Sequence, residues 1–194
     1  MMHLRDLLKA DIPSFLDERL RLQKVFEQMT FVEHFREVTL KQYLAYSFRS
    51  SPIRGTFTDI DDFLQASSRY WNTTELDGLL FYCEIIANII YSCSKRTTDW
   101  HPSAIRLREQ CLQNIDIILD KTGYKFMTDS DGIVAVIKKD ALAFCVIEDI
   151  DDKVVANAVL EYNRLDMKGD LKRKKGLLKQ IGDYLEPTLQ RRNT

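Results

Sequence analysis

The stretch LDGLLFYCEIIANIIYS, residues 76–92, is apolar on nearly every face of a helix. A helix apolar all round is packed by neighbours on every side. It therefore predicts a mainly α protein, a helical bundle around this central buried helix. The residues ahead of it, Asn72-Thr73-Thr74-Glu75, look like a helix start. Behind it, Lys95 to Trp100 is a polar connection, and Pro102 suits the first turn of a long helix over 103–121. Gly123 then ends that helix, because glycine tolerates positive φ.

Working outward, residues 14–28 predict a helix capped by Ser14, with Phe15, Leu16, Leu20, Leu22, Val25 and Phe26 as its apolar positions. Residues 30–48 carry Phe31, Phe35, Tyr43, Tyr46 and Phe48 and are expected to be helical, with a break near Val38-Thr39. Ser50 to Thr56 is a loop, and Asp59 to Ser67 a short helix with Ile60, Phe63 and Leu64 on one face. Past Gly123, the segments 124–128 and 133–138 flank the turn Asp129-Ser130-Asp131-Gly132 and predict a β-hairpin. Residues 141–148 suit either a third strand or a helical turn, so the sheet is expected within 124–147, packed on the bundle. Two last helices are expected over 151–165 and 171–191, broken at Lys168-Gly169-Asp170. The whole, 1–194, reads as one domain, with a sub-division into 1–122 and 123–194 as the alternative.

Composition agrees with a globular chain. Of 194 residues, 45% are hydrophobic and 29% charged, and a chain of this length buries roughly 70% of its unfolded surface. The net charge of -1 excludes a global basic field for nucleic acid, so any such patch is local. Cys83, Cys93, Cys111 and Cys145 form no C-x-x-C pair and sit in apolar patterns, as buried thiols of a reducing compartment do. His3, His34 and His101 are far apart, which argues against a zinc site. The first residues show no apolar signal core. Leu79 to Cys93, interrupted by Glu84 and Asn88, is shorter and more polar than the ~20 apolar residues of a membrane span. The expectation is a cytoplasmic protein with no membrane contact, metal or cofactor.

Four constellations bear on function. Glu84 and Asn88 lie four apart on one face of the central helix as a buried polar pair. A buried carboxylate needs a partner or a proton. The pair is thus either a satisfied structural pair, or a polar site on a groove or dimer face with Asn114 and Asp116 as candidate neighbours. Asp129 to Gly132 resembles part of a calcium loop, but its twelfth position is Asp140 rather than Glu and strand residues intervene, so it reads as a turn. Lys168, Lys172, Arg173, Lys174, Lys175 and Lys179 face only Asp170 in one run. They make either a solvated face or a phosphate contact to RNA or DNA, and no aromatic residue interleaves them to stack a base. Lastly, Arg96 and His101 enclose Thr97-Thr98-Asp99-Trp100. Some RNA-cleaving helical domains carry an Arg-x4-6-His motif, in which Arg stabilises phosphate charge and His moves a proton. The polar residue usual after that Arg is here Thr97.

Two segments, DGLLFYCEIIANIIY (77–91) and NRLDMKGDLKRKKGLLKQIGDYLEP (163–187), resemble uncharacterised bacterial helical proteins of the abortive-infection and HEPN-like type. Known members of that group are often ribonucleases or RNA-binding modules. In the resembling proteins an Arg-His-Asn-Asn element follows the Leu-Glu-Pro segment, and this chain ends at Arg191-Arg192-Asn193-Thr194 without it. The resemblance therefore implies binding before catalysis. Three functions are carried forward. The first is a non-catalytic binding or regulatory protein of phage defence that touches nucleic acid through the basic helix. The second is a metal-independent ribonuclease using Arg96 and His101. The third is a protein-interaction domain, with a homodimer as one of its forms.

Overall fold

The computed structural model describes residues 14–128, 132–139, 150, 152–164 and 169–192. The expected turn residues 129–131, the segment 141–148, Cys145 and Lys168 lie outside them. Among the described residues there are seven α-helices and two small two-stranded sheets. The contacts divide the chain into two units, 1–134 and 135–194, and the division falls inside a strand.

The first unit opens with α1, Phe15–Gln23, which a π-helical turn continues over Lys24–Gln28. Ser14 caps it, its Oγ accepting from the Asp17 N–H at 3.2 Å. The buried positions of α1 are Arg19 and Leu22, while Leu20 is exposed. The expected apolar stripe is thus corrected: a charged residue stands at a core position, four after Phe15 and three before Leu22.

Residues 30–39 are not helix. They form the antiparallel pair β1, Thr30–Glu33, and β2, Arg36–Thr39, in register Thr30↔Thr39 to Glu33↔Arg36. The period of two is visible in burial, with Phe31 inside and Val32 outside. At the tip His34 (φ 46°) and Phe35 (φ 65°) both take the left-handed conformation that a two-residue hairpin turn demands. The expected break at Val38-Thr39 is real, and it is the N-cap of α2, Leu40–Phe48. There Thr39 and Gln42 make a reciprocal capping box at 3.2 and 2.9 Å.

After a 3-10 turn at Pro52–Arg54 come α3 (Ile60–Trp71), α4 (Leu76–Ser94) and α5 (Pro102–Thr122). Asp59 caps α3, which buries Ile60, Leu64, Ser67 and Trp71 along one stripe. The helix runs four residues further than expected because Trp71 packs edge-on against Tyr82. Helix α4 is the centre of this unit and touches α1, α2, α3 and α5. It starts close against the preceding loop: a Cβ at Gly78 would fall 2.4 Å from the Thr73 methyl. By length and composition α4 could cross a membrane, which corrects the expectation that it is too short and too polar. Eleven of its residues are buried in the unit, as a core helix also requires. Gly123 ends α5 with φ 77°.

Strands β3 (Tyr124–Thr128) and β4 (Val134–Lys138) make the second sheet, the expected hairpin. The second unit holds α6, Lys153–Tyr162, and α7, Leu171–Arg192. Asp152 caps α6 and Asp170 caps α7. The two helices pack through Ala158 and Leu177, with Tyr162 and Ile181 beside them.

Candidate functional site

The basic run lies on the first turns of α7. Lys172, Lys175 and Lys179 are exposed, spaced i, i+3, i+7, so they share one face. At 3.6 residues per turn, that face is about half a turn from Leu177 and Ile181, which hold the helix to α6. Arg173 is paired with Glu161, and the Lys174 ammonium lies 4.8 Å from the centre of the Tyr162 ring. Among the described residues no carboxylate pairs with Lys172, Lys175 or Lys179. Asp170, the single acid of the run, accepts from the Arg173 N–H at 2.9 Å and is engaged as a cap. By sequence this helix offers Leu171, Leu178, Ile181 and Leu185 as its apolar stripe, and Ile181 does pack against α6. Leu171 and Leu178 are exposed, and Leu177 is the buried one. Leu177 and Leu178 are adjacent, so sequence allowed either stripe; contact with Ala158 and Tyr162 selects the first.

Arg96 and His101 sit on the loop between α4 and α5, and α2 holds that loop. The Tyr43 hydroxyl donates to the Asp99 carbonyl and accepts from the His101 N–H, both at 2.9 Å. Ser47 and Thr97 share a hydrogen bond at 2.9 Å, and Ser51 and Ser92 one at 2.6 Å. The His101 ring stacks on Phe31, with centroids 5.4 Å apart. Its Nδ1 accepts from the Ser103 N–H at 3.2 Å and so caps α5. That leaves the neutral ring's proton on Nε2. Arg96 turns back to donate to the Ser92 carbonyl at 3.3 Å, at the end of α4. Within the described residues, no hydrogen bond joins Arg96 to His101. Each is engaged in ending or starting a helix.

Asn88 is buried, whereas Glu84 is half-buried, which corrects the expectation of a buried pair. Its Nδ2 donates to the Glu84 backbone carbonyl at 2.9 Å and to the Val134 carbonyl at 2.7 Å. Its Oδ1 accepts from the Val134 N–H at 2.7 Å. The partner is therefore backbone and not the Glu84 carboxylate. Asn88 fastens the first residue of β4 to the core helix.

No protein-family model, curated protein or solved structure matches this chain. Among the described residues no group of His, Cys, Asp and Glu is placed to hold a metal ion.

A second charged constellation had not been expected. Glu27, on the π-helical turn, accepts from the Tyr82 hydroxyl at 3.0 Å and meets Lys41 at 3.4 Å. Lys41 continues to Asp61 at 2.7 Å. Burial alone would lower the Lys41 pKa, but the Asp61 hydrogen bond and the charges of Glu27 and Asp61 outweigh it, and the pKa is raised. Burial, with the Glu27 charge behind it, pushes the Tyr82 phenol strongly up. Arg19, whose charge also acts on Tyr82, is 8% exposed. The signal in the sequence was a cation in register with Phe15, Leu22 and Phe26.

Proposed function

We propose that this chain is a non-catalytic binding protein of the cytosol that engages RNA or DNA phosphates through the outer face of α7. The observation that supports this is the triplet Lys172, Lys175 and Lys179: exposed, on one helical face, with no carboxylate partner among the described residues. Lysine ammonium groups contact phosphate as point charges, so the reading is of backbone contact without sequence preference. The placement in bacterial phage defence rests on the resemblance of 77–91 and 163–187 alone. The ribonuclease reading draws less support, because the Nδ1 of His101 and the guanidinium of Arg96 are both engaged by backbone.

The test is binding of labelled single-stranded RNA, with duplex DNA beside it, across a salt series. Three phosphate contacts give a slope of log affinity against log salt of about -2 for a single strand. Loss of one contact, as in each of Lys172→Glu, Lys175→Glu and Lys179→Glu, should make that slope shallower by about 0.7. Absence of binding at low salt, or binding that the triple reversal leaves intact, defeats the reading. RNA cleavage that His101→Ala abolishes, with the fold retained, would restore the ribonuclease.

One observation favours a second reading, a protein-interaction domain. Phe35 at the tip of the first hairpin is fully exposed, and Tyr46 on α2 is 84% exposed. Large aromatic side chains left in solvent are the usual anchors of an interface. This reading stands if nucleic acid does not bind.

A further inference from the structure

Among the described residues the charge of Arg19 has no ion-pair partner. Its side chain projects from the core stripe of α1, beside Leu22 and close to Tyr82. Nε is sealed from solvent and makes no hydrogen bond. The Nη groups make none within the described residues either, but they are not sealed. A guanidinium cannot shed its proton to escape burial, as a carboxylate can take one up. An unpaired buried charge is strongly unfavourable. The acids of the neighbouring constellation are already engaged: Glu27 by Tyr82 and Lys41, and Asp61 by Lys41.

We propose that Arg19 is the floor of a site for a small oxyanion, a carboxylate or a phosphate, which supplies the acceptors the fold withholds. The planar fork of the guanidinium matches two oxygens of such a group. Apolar neighbours on the same stripe, Leu22 and Phe26, keep water from competing. The site lies in the first unit, in residues that the nucleic-acid reading does not use.

The test is thermal melting of the full chain in chloride, acetate and inorganic phosphate at matched ionic strength, with Arg19→Met alongside. The wild type should melt higher in at least one oxyanion, saturably, by roughly 3–5 °C at ten times the dissociation constant. Arg19→Met should show no such rise. In chloride Arg19→Met should melt no lower than the wild type, since it removes an unpaired charge and keeps the length of the side chain. A rise in acetate alone marks a carboxylate ligand, and a rise in phosphate alone marks a phosphate. An equal rise in both proteins means surface binding and overturns the proposal. So does no rise in either, or an Arg19→Met variant that melts lower or fails to fold in chloride, because Arg19 is then satisfied by the protein itself. The wild type offers a second readout that needs no variant. One arginine Nε–H resonance should be protected from exchange and move saturably with the same anion.

Discussion

Asn88 shows how one side chain can stand in for a strand. Its amide offers Val134 the donor and the acceptor that a paired peptide group would offer, both at 2.7 Å, in a site away from water. Asn88→Ala removes both and strands the N–H and C=O of Val134 without partners. A buried polar group left unsatisfied is destabilising by roughly 1–3 kcal/mol, so the expected loss for the two is roughly 2–6 kcal/mol. Asn88→Asp keeps the acceptor, loses the donors and sets a carboxylate against two carbonyl oxygens, so it should lose at least as much. Urea unfolding reads both, as a lower midpoint with an unchanged slope. A loss below about 1 kcal/mol would mean that water replaces the amide. The sequence marked Asn88 as a polar break in an apolar helix, to be satisfied with Glu84 by a helix end or an Arg of a neighbouring helix. The actual partner is backbone 46 residues on, and no local pattern encodes it. Arg19 escaped notice for the converse reason. Charge on a surface helix is read as the solvated face, and here the register with Leu22 and Phe26 overrules the charge.

At the scale of elements, what was legible followed from strong periodicity and capping chemistry. Helices α4 and α5, the caps Ser14 and Gly123 and the second hairpin were all written locally. The first hairpin was not. Its turn carries His34-Phe35 where Asn-Gly would announce it, and its strands are four residues each. Aromatic residues shared with α2 then imitate one long helix. Helix α7 carries the opposite ambiguity, a clear helix whose packed face was not legible. It also holds two glycines in its interior. A Cβ built at Gly176 or at Gly182 meets nothing within 4 Å. Glycine there is about 1 kcal/mol less favourable than alanine, so Gly176→Ala should stabilise α7 by about that amount. Amide hydrogen exchange along 171–184 measures it directly, as slower exchange in the variant. Unchanged or faster exchange would show that the turn around Gly176 is held by something other than helix propensity.

For the molecule as a whole, burial sets how stability responds to alkali. Cys83, Cys93 and Cys111 are buried in the first unit, on the packed pair α4 and α5. Burial pushes Cys93, despite the opposing charge of Arg96, up to about 12, and pushes Cys111 up to about 12 as well. Cys83 and Tyr82 move further in the same direction, again by burial first. An unfolded thiol titrates near 9.0. Between there and about 12 the unfolded chain has released protons that the folded chain keeps, so stability falls as pH rises. Lys41, also raised, acts in the same sense above its ordinary 10.5. The stabilisation from these groups is complete below pH 9. Urea unfolding under reducing conditions should therefore give a free energy that these groups leave unchanged from pH 7 to 8 and lower progressively from pH 9 to 11. Cys111→Ala should lose stability through its cavity at every pH, yet show a shallower fall above pH 9. A wild-type free energy that holds to pH 11 would mean that the thiols already ionise inside the fold. The three thiols would then not belong to a closed core, and native chain at pH 8 would react with a thiol reagent before it unfolds.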